Sequence, residues 1–193
     1  MGAFVEVIRR DWKNPPNIIT AIRMIGILWL PSLALSRSEK RRLAAVVLFV
    51  TMASTDKLDG WLARNIYGTT TLGKLLDPVA DKELLLVTLG SLIVDARRRR
   101  DTSLLRAIVG AAAVISFREL AVFAVKLHAQ QRDHVVESAI QSSRITMVIQ
   151  SVALASLLIP SNNKTVRRGK FVLLGVTVAA SLYSGWDYYR RYR

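Results

Sequence analysis

Apolar residues along this chain gather into six runs, over residues 18–35, 43–64, 72–94, 104–127, 145–159 and 171–189, divided by short polar and basic stretches. Runs of this length and hydropathy predict helices that cross a bilayer. The expected architecture is therefore all-α, a polytopic membrane protein with about six transmembrane helices. Ahead of the first run, Phe4, Ile8 and Trp12 fall on one helical face, with Arg9, Arg10 and Lys13 elsewhere. That pattern predicts a short amphipathic helix lying in the membrane interface. Asn14-Pro15-Pro16 ends it, and Asn17 is a candidate cap for the helix that follows. The chain thus divides into a juxtamembrane segment, 1–16, and a transmembrane domain, 17–193. The last run closes on Trp186, Tyr188 and Tyr189, an aromatic belt, followed by Arg190-Arg191.

Composition sharpens this picture. Hydrophobic residues make up 51% of the 193, yet the net charge is +14. The basic residues cluster between the apolar runs, at 37–42, 97–100 and 164–170, where anionic lipid headgroups are the natural partner. A nucleic-acid binder would need its basic face on a polar, soluble fold, so that class is set aside. Basic residues divide almost evenly between the two sides of a six-span layout, so charge bias does not orient the chain. Cysteine is absent, which excludes disulfides and thiolate metal sites. His128 and His134 lack a paired metal-ligand spacing and read as solvated loop residues.

The chemistry concentrates in the second and third runs. Asp56 and Asp59 stand three apart, and Asp77 and Asp81 four apart, so on helices each pair shares a face. Two such helices side by side direct four carboxylates into one pocket, a site for hard divalent cations. Two metals sharing carboxylates clamp the attacking and leaving oxygens of a phosphoryl transfer. The plainer alternative makes Asp56 and Asp59 interfacial charges and Asp77, before Pro78, a helix N-cap. Capping accounts for Asp77 alone. Mid-span ions are costly in lipid, which also marks Arg23 and the pair Arg118-Glu119 as candidate functional groups.

Taken together, Asp56, two residues, Asp59-Gly60, two residues, Ala63-Arg64, eight residues, Gly73, three residues, Asp77, three residues and Asp81 resemble the full signature of the CDP-alcohol phosphotransferases. These are membrane enzymes of phospholipid synthesis. The resemblance implies two Mg²⁺ or Mn²⁺ ions on Asp56, Asp59, Asp77 and Asp81, and Asp81 as general base. It implies a nucleotide held by Asp56, Gly60, Ala63, Arg64, Gly73 and Asp77, with the cytidine base against Gly73. It also implies a cytoplasmic active site in a bacterial-type cytoplasmic membrane, and pairing as a homodimer.

Three further segments are similar to phosphatidylglycerophosphate synthases within that family. They are Pro16-Asn17, two residues, Thr20, two residues, Arg23; then Phe117-Arg118-Glu119-Leu120; and Ser143-Arg144-Ile145-Thr146 with Gln150. The last departs from the family's Gly-Lys-x-Lys-Thr pattern, with Arg144 in place of the first lysine and Thr146 in place of the second. The implied reaction transfers a phosphatidyl group from CDP-diacylglycerol to glycerol 3-phosphate and releases CMP, and the acceptor phosphate would meet Arg23, Arg118 and Arg144. Phosphatidylglycerol or an inositol phosphate as acceptor stays open. So does a divalent-cation transporter, although aspartates clustered at one helix end beside Arg64 suit a transit path poorly.

Overall fold

A computed structural model of the chain describes residues 10–68, 70–130, 141–159, 161 and 163–192, and these are helical with no strand among them. The interfacial helix expected over 4–13 lies largely outside the described residues, as does His134. The helices are α1 (Pro15–Ile27), α2 (Leu30–Ala34), α3 (Glu39–Leu62), α4 (Thr71–Arg98), α5 (Thr102–Gln130), α6 (Gln141–Leu158) and α7 (Lys164–Tyr192), with a π-helical turn at Ala63–Tyr67 after α3. Two stretches, Pro15–Ala34 and Thr102–Ala124, are long and apolar enough to cross a membrane. The other expected spans are helical but carry more charged and hydroxyl residues along their length.

Most boundaries differ from the sequence expectation in a consistent way: helices run past the apolar segments into their polar flanks. Propensity and capping end a helix; hydrophobicity does not. Pro15 and Pro16 open α1 from its first turn, where a missing N–H costs nothing. Asn14, not Asn17, is therefore the capping position, and its side chain makes no cap bond. The first run breaks between α1 and α2 because Pro31 offers no N–H to the preceding turn. Helix α4 begins at Thr71, so Asp77 lies well inside it and is no N-cap. The basic loop expected over 95–103 shrinks to a few residues, where Arg100 takes φ 55° and Asp101 N–H reaches back to the Ala96 carbonyl at 3.1 Å. Asp101 then caps α5 through Leu104 N–H, 3.0 Å.

The chain forms two compact units, residues 1–94 and 95–193. In the first, α1 and α2 pack on α3. Gly26 permits close approach, since a Cβ there would sit 3.0 Å from Met52 Cε. Helix α1 buries Asn17, Thr20, Arg23 and Ile27 and exposes Ile18, Ile22, Ile25 and, just beyond, Leu28 and Trp29. Polar inside and apolar outside is the inverse of a water-soluble helix, and suits surroundings of lipid.

The second unit repeats that inversion. Helix α7 packs along both α5 and α6. Ser143, Thr146 and Gln150 of α6 and Thr177, Ser181 and Ser184 of α7 are buried, while Phe117, Leu120, Leu182, Tyr183 and Trp186 are exposed. Hydroxyl and amide groups bind the helices: Thr146 Oγ1 donates to the Ala180 carbonyl (3.1 Å), and Gln150 Nε2 to Ser181 Oγ (3.2 Å). Val122 and Tyr188 form a small apolar contact between α5 and α7.

Candidate active site

The site lies in the first unit, and the polar face of α1 organises it. Spacings of three put Asn17, Thr20 and Arg23 on one buried stripe. Each meets a different part of the acidic signature. Thr20 Oγ1 donates to Asp59 Oδ2 at 3.0 Å. Arg23 Nη1 pairs with Asp56 Oδ1 and stands 3.9 Å from Asp81 Oδ1. Asn17 Nδ2 donates to the Asp11 carbonyl (2.7 Å) and to Thr70 Oγ1 (2.9 Å), at the start of α4.

Two side chains fix where α4 begins. Thr70 Oγ1 accepts from Gly73 N–H at 3.0 Å, the standard N-cap bond, and Asp11 Oδ2 accepts from Leu72 N–H at 3.2 Å. From that start, Gly73, Asp77 and Asp81 follow at spacings of four on one helical face. Pro78 sits inside α4 and leaves the Lys74 carbonyl without its usual helical partner.

A small cavity is lined by Pro16, Asn17, Thr20, Asp59, Ala63, Thr70, Gly73 and Asp77. It thus joins one carboxylate from each pair with two of the small residues of the signature. Gly73 is there for a close approach: a Cβ would lie 2.8 Å from Asn17 Oδ1 and 3.0 Å from Thr70 Oγ1. The sequence resemblance put a cytidine base against this glycine; the side chain found against it is Asn17. Because Asn17 is held from two sides, Gly73→Val is expected to destabilise the unit by about 1–3 kcal/mol. Thermal unfolding in detergent reads this directly. Helix propensity alone favours Ala over Gly by about 1 kcal/mol, so an unchanged or raised midpoint in Gly73→Ala would remove the close-approach argument.

Asp56 and Asp81 stand within hydrogen-bonding reach of each other, and Asp77 lies near enough to act electrostatically on both Asp59 and Asp81. Carboxylates this close need a shared proton or a cation between them. Among the described residues, Arg23, only 2% exposed, is a cation at the cluster, and it feels Asp56, Asp59, Asp81 and Glu83 together. Its Nε and Nη2, and Glu83 Oε2, are buried without a partner. Among the described residues, no group of three or more His, Asp or Glu side chains is assembled to hold a metal ion. Asp56 and Asp81 instead flank the Arg23 guanidinium. As a donor set, though, four carboxylates within a few turns are what a hard divalent ion takes.

Of the remaining sequence candidates, Gly60 is half-buried on α3 one turn before Ala63. Arg64 belongs to the π-helical turn, a distortion frequent at functional sites; its side chain lies outside the described residues. The second unit holds the other two arginines. Arg118, 4% exposed, pairs with Glu119, and its Nη2 donates to Ser143 Oγ and Ser184 Oγ, both at 2.6 Å. Its Nε has no partner. Arg144 is exposed at the start of α6. Sequence reasoning passed over Asp11, Thr20 and Thr70 as site residues. Thr20 was findable, by its register with Asn17 and Arg23 on an otherwise apolar run.

Comparison with known proteins adds an independent line. The CDP-alcohol phosphatidyltransferase family profile matches residues 13–183. A Bacillus subtilis CDP-diacylglycerol–glycerol-3-phosphate 3-phosphatidyltransferase is 31% identical over 151 residues, 77% of this chain and 73% of that protein. A probable phosphatidylglycerophosphate synthase of Mycobacterium tuberculosis is 26% identical over 181 residues, 92% and 81% of the two chains. A Pseudomonas fluorescens protein with the same name as the Bacillus one is 40% identical over 80 residues, but the match spans only 42% of this chain and 41% of that relative.

Proposed function

Because the chain belongs to the CDP-alcohol phosphatidyltransferase family, we propose that it transfers a phosphatidyl group from CDP-diacylglycerol to glycerol 3-phosphate, releasing CMP and forming phosphatidylglycerophosphate. The observation that carries this reading is the cavity where Asp59 and Asp77 meet Ala63 and Gly73, bringing both halves of the signature to one place. The names of the Bacillus, Mycobacterium and Pseudomonas relatives support the choice of acceptor.

In the reaction, the acceptor hydroxyl oxygen forms a bond to the phosphatidyl phosphorus as the phosphorus–oxygen bond to CMP breaks. Asp81 takes the hydroxyl proton; it is half-exposed, so an acceptor arriving from water can reach it. Asp56, Asp59, Asp77 and Asp81 would hold two Mg²⁺ or Mn²⁺ ions. When bound, these neutralise charge growing on the leaving phosphate oxygen. Gly60, Ala63, Arg64 and Gly73 hold the nucleotide, the small residues by letting it approach the backbone. Arg23, with Nε and Nη2 unpartnered, supplies donors for the acceptor phosphate. About six spans, a cytoplasmic site and a homodimer complete the reading.

An acceptor panel tests it. Purified protein in detergent receives CDP-diacylglycerol, Mg²⁺ or Mn²⁺, and one acceptor at a time, with CMP release measured. Release is expected with glycerol 3-phosphate. Release only with phosphatidylglycerol or an inositol phosphate would transfer the assignment to that acceptor. No release, with Mn²⁺ uptake into sealed vesicles, would favour transport instead.

A further inference from the structure

We infer that Arg23 is the resident counter-cation of the carboxylate cluster, competing with divalent metal for Asp56 and Asp81. The inference deepens the metal reading above and rests on it. Arg23 is buried to 98% in a helix whose outer face is apolar, so its charge is retained against a large desolvation cost. What repays that cost is acidic: Nη1 is paired to Asp56 and 3.9 Å from Asp81, while Asp59 and Glu83 act on it from further away. Asp59 is satisfied separately, through Thr20. The guanidinium therefore sits against one carboxylate of each signature pair, two that also act directly on each other.

Two consequences follow from charge alone. With metal removed, Arg23 still sets a positive charge beside the part-exposed carboxylates of Asp56 and Asp81, which would otherwise repel one another. With metal present, a second positive charge arrives next to Arg23, so the arginine weakens binding and keeps it exchangeable. Removal of Arg23 therefore has opposite effects on two measurable quantities. Nε and Nη2, the edge turned away from Asp56, carry no protein partner, which leaves that edge available to a phosphate when the carboxylates take metal.

The test uses full-length Arg23→Gln and Arg23→Met, purified with Mn²⁺ present, alongside wild type and Arg23→Lys. Mn²⁺ affinity is measured by electron paramagnetic resonance of the free ion, without substrate. Both neutral variants are expected to bind Mn²⁺ about tenfold more tightly than wild type, and Arg23→Lys within about threefold of it. In EDTA the neutral variants should unfold at a lower temperature than wild type, with the gap closing in excess Mn²⁺. Neutral variants that bind Mn²⁺ equally or more weakly would overturn the counter-cation role while leaving the metal site standing. Neutral variants that cannot be recovered folded even with Mn²⁺ would overturn it too, because the metal should replace the missing charge. Wild-type protein that binds no Mn²⁺ would sink the underlying metal reading itself.

Discussion

Asp81→Asn is expected to lower CMP release from CDP-diacylglycerol by about 10³-fold or more while leaving the thermal midpoint within a few degrees of wild type. The two halves of that expectation have different causes. Asparagine keeps the size of the side chain but neither accepts a proton nor offers a charged ligand, so the proposed base and metal roles would fail together. The fold loses little, because Asp81 is half-exposed and Arg23 stands 3.9 Å from it. Asp77→Asn should likewise lower CMP release, since Asp77 lines the cavity with Asp59. Asp56→Asn is different in kind, since it would also strip the buried Arg23 of its paired carboxylate and destabilise the unit. Activity and unfolding measured on the same preparations separate these cases. An Asp81→Asn protein retaining a tenth of wild-type turnover would remove this carboxylate from the chemistry.

The second large effect lies in the other unit. Arg118→Leu should cost about 2–4 kcal/mol of stability, read as a lowered midpoint in detergent. Three of its bonds are lost at once: to Glu119 beside it on α5, to Ser143 on α6 and to Ser184 on α7. The serine hydroxyls are buried and would lose that charged donor. Packing is affected as well, because Gly185 leaves room for the Arg118 stem, with a Cβ there only 3.4 Å from Arg118 Cγ. Arg118→Lys keeps the charge but not the planar fork, and should recover only part of the loss. If Arg118→Leu unfolds like wild type and changes only the KM for the acceptor, the tie between the three helices is not what this arginine provides.

How much of this was legible beforehand follows from which interactions are local. Six helical stretches could be read from the apolar runs, but their ends could not. Helices α4 to α7 extend beyond those runs, and α1 breaks from α2 at a proline the hydropathy pattern hides. The aspartate pairs were legible because spacings of three and four are a property of one helix. Asp77 illustrates the limit. Pro78 beside it suggests a cap on local grounds, whereas the helix starts at Thr71, under Thr70 and the distant Asp11.

By itself, then, the sequence determined the helical class, the membership of the family and the spacing of the acidic signature, all of which reside in residue type and short-range spacing. Only the tertiary structure decided that Asn17 fills the space beside Gly73 and that Arg23 faces Asp56 and Asp81. It likewise decided that Arg118 binds two serines from other helices. Those partners are 25 to 66 residues apart in the chain, or brought together at a helix start across more than 50. Periodicity within one helix shows which face a side chain occupies, but the neighbour across that face is chosen by how separate helices pack.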